Sequence, residues 1–174
     1  MRRLCYSVAM SLDGYIAGPR GEYDWIPMDP DIDFAAIFGK FDTVLMGRRS
    51  FEAMPGGEPM PGGPLATMKI IVVSRTLDPR EHTRVTMVSD HLKEAVSALK
   101  REPGKDIWLW GGGDLFRSLL DLGQVDAVEV AIVPVVLGQG VPFVAPPAAQ
   151  ASLTLRAHRV YEKTGTILLG YDVR

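Results

Sequence analysis

The residues best suited to chemistry lie in the stretch WLWGGGDLF, residues 108–116. The apolar run at its start predicts a buried strand over residues 107–110, and Leu115, Leu119 and Leu122 after it have the spacing of a helix. A strand that ends in glycines at a helix start leaves backbone N–H groups without partners and without side chains over them. A phosphate can approach such a turn closely, so this stretch is a candidate diphosphate site.

This glycine cluster differs from the dinucleotide fingerprint GxGxxG. Gly111 and Gly113 match its first two glycines, but Phe116 occupies the third glycine position and the motif comes late in the chain. Taken alone, a tight strand-to-helix turn that binds nothing explains the cluster equally well.

Two other predicted strands also end in residues that suit a phosphate. Gly47 permits close approach to the backbone, and Arg48 and Ser50 follow it where a helix is predicted to begin. The stretch VVSRT places one cation between two hydroxyls: Ser74, Arg75 and Thr76. Ligands of open α/β sheets bind at the carboxyl ends of parallel strands, so three such ends in chain order favour a dinucleotide over three unrelated turns.

The elements that must position these residues form one predicted α/β domain over residues 1–174. Apolar and β-branched runs predict eight strands, at residues 4–10, 43–46, 69–74, 84–88, 107–110, 127–136, 153–161 and 166–172. Helical patterns cover residues 33–41, 49–54, 92–99 and 115–122. This order predicts a central, mostly parallel eight-stranded sheet flanked by about four helices, with an antiparallel C-terminal hairpin that turns at residues 162–165.

Composition excludes several classes of function. The formal charge of −2 comes from 19 basic and 21 acidic residues without a basic stripe, so nucleic-acid binding has no electrostatic support. The single cysteine, Cys5, lies in an apolar run and is interpreted as a core residue of a protein in a reducing compartment. No metal site is predicted, because the histidines are scattered in the sequence. The apolar region of residues 125–144 is interrupted by charges and prolines, so we expect no membrane span and a cytoplasmic protein.

Taken together, the motifs resemble the dihydrofolate reductase superfamily. The resemblance is strongest to the reductase domain of the bifunctional deaminase/reductase of riboflavin biosynthesis. It includes SLDG at residues 11–14 and VDAVEVAIVPVVLGQGVPF at residues 125–143, and it extends over residues 4–173. It implies a dihydrofolate-reductase-like fold and NADPH as the cofactor. The zinc-binding deaminase domain of that enzyme has no counterpart in this chain, which implies a stand-alone reductase.

The resemblance also implies a role for each matching residue. Ala9 and Ile16 would flank the nicotinamide, and Asp13 and Trp25 would border the loop over the active site, where Trp25 and Phe34 would contact substrate. The diphosphate and adenosine side would lie along Gly47, Arg48, Arg49 and Ser50. The 2′-phosphate of NADPH would lie at Ser74, Arg75 and Thr76. The diphosphate would bind at the helix start formed by Gly111, Gly112, Gly113, Asp114, Leu115 and Phe116.

The acidic residue of the site is less clearly marked. Dihydrofolate reductases carry a substrate-binding acid on the matching helix, and Asp33 lies near that position, although its spacing to Gly47 differs slightly from the family's. Asp31 competes for the same role, and for either residue N-capping of the helix is an explanation at least as good as substrate binding. The proton required by the reaction would come from Asp33, from Asp13 or from a water that they orient.

These features predict an NADPH-dependent reductase that transfers a hydride to a small flat heterocycle or a ring-opened aminosugar-type compound. Its activity would resemble that of 5-amino-6-(5-phosphoribosylamino)uracil reductase. Dihydrofolate reduction is the alternative enzyme activity, and a non-catalytic nucleotide-binding or sensor module is the alternative of another class. The long apolar strands at the C-terminal end favour a homodimer, because an uncovered strand edge invites pairing.

Overall fold

The computed structural model describes residues 1–54 and 62–174. These residues form ten strands: β1 (Leu4–Ser11), β2 (Tyr15–Ala17), β3 (Phe41–Gly47), β4 (Lys69–Val73), β5 (Thr86–Val88), β6 (Asp106–Gly111), β7 (Ala127–Val133), β8 (Val141–Pro142), β9 (Leu153–Tyr161) and β10 (Thr166–Val173). They also form four helices: α1 (Phe34–Phe38), α2 (Arg48–Glu52), α3 (Leu92–Arg101) and α4 (Gly113–Asp121).

Eight of the strands make one sheet in the spatial order β5–β4–β3–β6–β1–β7–β10–β9. The first six strands of this order run parallel, whereas β10 is antiparallel to both β7 and β9. The predicted fold class is therefore confirmed, with a mostly parallel sheet of eight strands and an antiparallel C-terminal pair. The N-terminal strand β1 lies inside the sheet between β6 and β7.

Several local details differ from the prediction, including β5, which begins at Thr86 rather than at residue 84. The short strands β2 and β8 pair only with each other, in a separate two-stranded sheet, and neither has the apolar pattern of a strand. Strand β7 ends at Val133 rather than at residue 136, and the next residue, Pro134, has no N–H for a sheet ladder. Helix α1 is confined to Phe34–Phe38, because Gly39 already caps it.

Both faces of the parallel part of the sheet are covered, as such sheets require. On one face, Leu4 and Tyr6 of β1 pack with Val96 of α3 and Leu119 of α4. On the opposite face, Cys5 lies in a second cluster that includes Val44, Phe51 of α2 and Trp108, with Phe38 of α1 packed against it. Burial raises the pKa of the Cys5 thiol to about 12, which fits an inert core residue.

The antiparallel end of the sheet is open to solvent. Strand β9 is the edge strand, and each of its residues from Leu153 to Val160 is exposed.

In the ranges 1–54 and 62–174, no helix is long and apolar enough to cross a membrane. Within the same ranges, no group of three or more His, Cys, Asp or Glu side chains is arranged to hold a metal ion.

Candidate functional site

The predicted phosphate-binding strand ends meet at one edge of the sheet. Strands β4, β3, β6 and β1 are consecutive neighbours and parallel, so their carboxyl ends lie side by side. The register places Gly47 opposite Val73 on one side, and Met46 opposite Gly111 on the other. Strand ends that are up to 100 residues apart in the chain, Ser11 and Gly111, are thereby brought to the same end of the sheet.

The three consecutive glycines at the junction of β6 and α4 contribute in different ways. Gly111 has φ +126°, which a side chain would strain. A Cβ at Gly113 would lie 2.2 Å from the carbonyl oxygen of Pro142, so only glycine fits beneath that segment. Gly112 is the N-cap residue of α4 and supplies no side-chain cap to the first N–H groups of the helix. The nine-residue helix α4 therefore presents uncapped amides at this edge of the sheet.

The space around Gly112 is open and has a polar group beside it. A Cβ at Gly112 would lie 3.9 Å from Ser50 Oγ and 4.0 Å from a Val141 methyl, and both are ordinary contacts. Ile16 reaches to 3.9 Å from the corresponding position at Gly111. In the described chain the Ser50 hydroxyl has no hydrogen-bond partner, so it is available to a ligand above the uncapped helix.

The remaining residues of the predicted diphosphate turn contribute through their backbone. Leu115 and Phe116 are core residues, and the Phe116 ring stacks on Tyr6 with centroids 3.9 Å apart. Asp114 is exposed, and its carboxylate would repel a diphosphate whereas its N–H would attract one. The bulky residue at the third glycine position of the fingerprint is thus part of the core beneath the turn.

The turn after β4 presents a cation. Ser74 is 9 % exposed, and its Oγ accepts hydrogen bonds from the N–H groups of Thr76 (3.1 Å) and Leu77 (3.0 Å). These bonds shape the turn so that Arg75 and Thr76 are exposed. Among the described residues, the Arg75 guanidinium has no acceptor. On neighbouring α2, Arg48 pairs with Glu52 at 3.0 Å, whereas Arg49 is exposed and has no acceptor in the described ranges.

Asp13 joins the first loop to the segment before β8. Its carboxylate accepts hydrogen bonds from Ser11 Oγ at 2.7 Å, from the Leu137 N–H at 3.1 Å and from the Gly138 N–H at 2.7 Å. The hydrogen bond from Ser11 is the main cause that lowers the pKa of Asp13, and the two backbone bonds act in the same direction. Asp13 is therefore ionised at neutral pH, and its contacts hold the loop that carries Ile16.

The acids before α1 have separate partners. Asp33 caps α1, with Oδ1 accepting from the Ala36 N–H at 2.9 Å, and its side chain is exposed. Asp31 bonds to Lys163 at 2.8 Å in the turn between β9 and β10. Asp29 is 2 % exposed and accepts from the Asp31 N–H and the Thr164 hydroxyl, each at 2.8 Å. The backbone bond from Asp31 is the main cause that lowers the pKa of Asp29. Of Asp29, Asp31 and Asp33, Asp33 is thus the acid that no other side chain contacts.

Aromatic side chains lie between α1 and the sheet. The Phe34 and Phe38 rings are 5.9 Å apart, and Phe38 stacks on Trp108 at 5.2 Å. Trp25 is partly exposed in the segment before α1, and its Nε1–H donates to the Glu22 carbonyl at 3.1 Å. Ala9 lies opposite Ala131 of β7, and both are small and partly exposed. Phe34, Phe38 and Trp108 thus form a row of aromatic rings, and Ala9 and Ala131 leave the sheet surface without large side chains at their position.

Comparison with known proteins identifies this architecture. The family model of the RibD C-terminal domain matches residues 2–169. The chain belongs to the RibD C-terminal domain family. It is 38 % identical over 151 residues to the uncharacterized protein YyaP of Bacillus subtilis, covering 82 % of this chain and 80 % of that protein.

Solved structures agree with the fold of this RibD C-terminal domain. A Shewanella sp. PV-4 protein described as a putative riboflavin biosynthesis protein matches with TM-score 0.82 and 23 % identity, over 100 % of this chain and 99 % of that one. The deaminase/5-amino-6-(5-phosphoribosylamino)uracil reductase of Thermotoga maritima matches with TM-score 0.70 and 16 % identity, over 99 % of this chain and 57 % of that one. Dihydrofolate reductase from Enterococcus faecalis, complexed with NADP(H), also has TM-score 0.70 at 17 % identity, over 99 % and 96 %.

The geometry of this RibD C-terminal domain also brings forward residues that the sequence motifs did not single out. Trp110 is partly exposed and contacts Trp108, with ring centroids 4.7 Å apart. Glu129 lies opposite Ser7 and is held by Lys40 at 3.3 Å and Arg156 at 2.9 Å. The sequence did contain a signal for Trp110: side chains alternate between the two faces of a strand, so Trp108 and Trp110 of β6 are expected on the same face.

Proposed function

We propose that the protein is an NADPH-dependent reductase that transfers a hydride to a small heterocyclic or ring-opened aminosugar-type substrate. Its activity would resemble 5-amino-6-(5-phosphoribosylamino)uracil reduction. The observation that carries the proposal is the open glycine turn at the uncapped start of α4, with the Ser50 hydroxyl beside it. Family membership supports it, because the Thermotoga maritima protein is named as such a reductase.

The residues at the sheet edge fit a phosphorylated dinucleotide. The N–H groups of Gly113, Asp114 and Leu115 with Ser50 Oγ would hold the diphosphate, with Gly47 leaving room beside them. Arg75, supported by Thr76, would bind the 2′-phosphate, and Arg49 would add a second cation. When bound, NADPH supplies the hydride. The protein's own part is to hold the ring against Ala9 and Ile16 and to exclude water there.

The experiment that tests this function measures NADPH oxidation at 340 nm. The substrates are an aminouracil carrying a ring-opened ribosylamino group and a dihydropteridine. Steady oxidation with the first supports the proposed activity, and oxidation with the dihydropteridine alone supports dihydrofolate reductase. Tight NADPH binding without turnover on a wide panel would make the protein a nucleotide-binding module.

Asp33 is the proposed group that orients the proton-donating water. It is exposed at the start of α1, whose Phe34 side chain we propose to contact substrate together with Trp25. Asp13 has its oxygens engaged by Ser11, Leu137 and Gly138, so we propose that it positions the loop.

Replacing Asp33 with Asn is expected to lower kcat roughly ten-fold and to leave NADPH affinity unchanged, because the carboxylate charge is lost and the size is kept. Steady-state kinetics and a cofactor titration measure the two effects. Asn is a good helix cap, so an unchanged kcat would leave Asp33 with a capping role only. Asp13→Asn is the companion variant, and if it alone abolishes turnover the acid is Asp13.

We also propose that the protein is a homodimer in a reducing compartment, the cytoplasm, where the free Cys5 thiol stays reduced. The register of β9 with β10 places Leu153, Leu155, Val160 and Ile167 on one face of the sheet, and they are 43 %, 53 %, 55 % and 39 % exposed. A second copy of the chain would cover this apolar face. Four exposed apolar side chains on one face form a patch, whereas the exposed hydrophobic residues of monomeric proteins are usually scattered singly.

Light scattering of the purified protein is expected to give the mass of a dimer, and Leu155→Glu is expected to give a monomer, because it places a charge in the apolar face. Ala157→Glu is the matched control, since Ala157 lies on the opposite face of the same strand. A monomeric wild-type protein, or equal effects of the two variants, would contradict this interface.

A further inference from the structure

A continuous row of aromatic rings lies on the sheet face beneath α1. Trp108 is at its centre and is 7 % exposed, with Phe38 at 5.2 Å and Trp110 at 4.7 Å. Phe34 extends the row from Phe38 at 5.9 Å. Phe34, Phe38 and Trp110 are partly exposed, so the row offers ring surface to solvent on both sides of its buried centre.

The two tryptophans of the row differ in their hydrogen bonds. Trp108 Nε1 donates to the Ser7 carbonyl at 2.8 Å. Trp110 Nε1 has no acceptor among the residues that the structure describes, although indole N–H groups at partly buried positions normally have one. Trp110 thus offers an unused donor at the edge of a flat apolar surface.

Trp110 lies on the same face of the sheet as Ala9, which we propose to flank the nicotinamide. Cys5 pairs with Trp108, and Cys5, Ser7 and Ala9 alternate onto one face of β1. Trp110 packs against Trp108 in the cluster that contains Cys5, so it shares that face. Gly111, the next residue, begins the turn at α4, so Trp110 is also next to the proposed cofactor turn.

Three cations on this face of the described structure already have partners within the protein. Lys40 and Arg156 both bind Glu129. Arg159 donates to the Asp31 carbonyl and lies 4.7 Å from the centre of the Tyr161 ring. An anionic substrate group that used one of these three cations would have to compete with its present partner, whereas a neutral ring meets no such cost.

We propose that Trp110 and Phe38 select an uncharged, flat heteroaromatic substrate, which stacks on the aromatic row and accepts a hydrogen bond from Trp110 Nε1. This inference rests on the proposed function and deepens it. It makes the ring, rather than a sugar phosphate, the part of the substrate that the protein recognises.

Isothermal titration with two probes tests the proposal. Quinazoline-2,4-dione is a neutral bicyclic ring with carbonyl acceptors, and uridine 5′-monophosphate carries a sugar phosphate on a similar ring. Quinazoline-2,4-dione is expected to bind at least ten-fold more tightly, both to the protein alone and to its NADP⁺ complex. Trp110→Phe keeps a ring but loses the donor, and it is expected to weaken that binding about five- to ten-fold.

A matched pair of variants separates substrate contact from packing. Phe38 and Phe41 stack on Trp108 at similar distances, 5.2 Å and 5.4 Å, but Phe38 is partly exposed and Phe41 is 4 % exposed. Phe38→Leu is expected to weaken quinazolinedione binding about five- to ten-fold, and Phe41→Leu is expected to lower the melting temperature without that loss.

Tighter binding of uridine 5′-monophosphate, or unchanged affinity in both Trp110→Phe and Phe38→Leu, would overturn the proposal. The affinity for NADPH, measured separately, is expected to be the same in these variants as in the wild type. A protein that binds the ring but not NADPH would refute the proposed function and leave this inference standing.

Discussion

Replacing Gly112 with Val is expected to abolish the binding of NADPH and NADH alike, with affinity reduced at least about a hundred-fold, while the fold is kept. The diphosphate of either cofactor must approach the uncapped amides of α4 over this residue, and several charge-assisted hydrogen bonds of about 1.5–3 kcal/mol each would be lost. The backbone of Gly112, at φ −87° and ψ −168°, is extended rather than left-handed. Its surroundings lie at 3.9 Å and 4.0 Å from an added Cβ, so the protein itself has room for the side chain.

The measurement is a fluorescence titration with both cofactors, accompanied by circular dichroism and a melting curve. Gly113→Ala is the contrasting variant, because its Cβ would meet the Pro142 carbonyl at 2.2 Å and is expected to destabilise the fold itself. Normal cofactor binding by a folded Gly112→Val protein would mean that the turn between β6 and α4 binds no diphosphate.

Arg75→Ala is expected to weaken NADPH binding by about one to two orders of magnitude and to leave NADH binding nearly unchanged. The guanidinium has no acceptor among the described residues, so a 2′-phosphate would gain a charge-assisted bond of roughly 1.5–3 kcal/mol without breaking an existing one. Titrations at two salt concentrations are informative, because the difference between the cofactors should shrink as salt screens the exposed charge.

Arg80→Ala provides the control for this variant. Arg80 lies five residues further along the same segment, but its guanidinium is already bound to Asp78 at 2.6 Å. It is expected to leave the affinity for both cofactors unchanged. Equal losses of NADPH and NADH affinity in Arg75→Ala would remove Arg75 from the 2′-phosphate site.

Local sequence patterns were sufficient to predict two of the turns of this fold. Three glycines after an apolar run predicted the β6–α4 turn, and the short polar stretch after Tyr161 predicted the C-terminal hairpin, because both signals lie within a few adjacent residues. The family resemblance then implied which part of NADPH each strand end would bind. Whether those ends bind NADPH remains a prediction.

The parts that the sequence did not predict depend on contacts between distant residues. Strands β2 and β8 are too short for a pattern and exist because Tyr15 and Ala17 meet Pro142 and Val141. The two backbone N–H groups that donate to Asp13 lie 124 and 125 residues away, so the sequence did not show that this carboxylate joins the first loop to the segment before β8. The alternation of side chains along β6 predicts the face of the sheet on which Trp110 lies. Whether its indole N–H has a hydrogen-bond acceptor depends on residues that are near it in space but distant in the sequence.

The central place of β1 has a consequence for biosynthesis. Strand β1 pairs with β6 and β7, whose residues follow it by more than 100 positions. Both edges of β1 therefore stay unpaired until β6 and β7 have been synthesised, and long-range parallel pairing of this kind is slow. The turn at Gly113 is completed later still, by the 142–145 segment. In a nascent chain the turn between β6 and α4 is thus completed only after residues 142–145 have been synthesised, and until then the unpaired edges of β1 are exposed to aggregation.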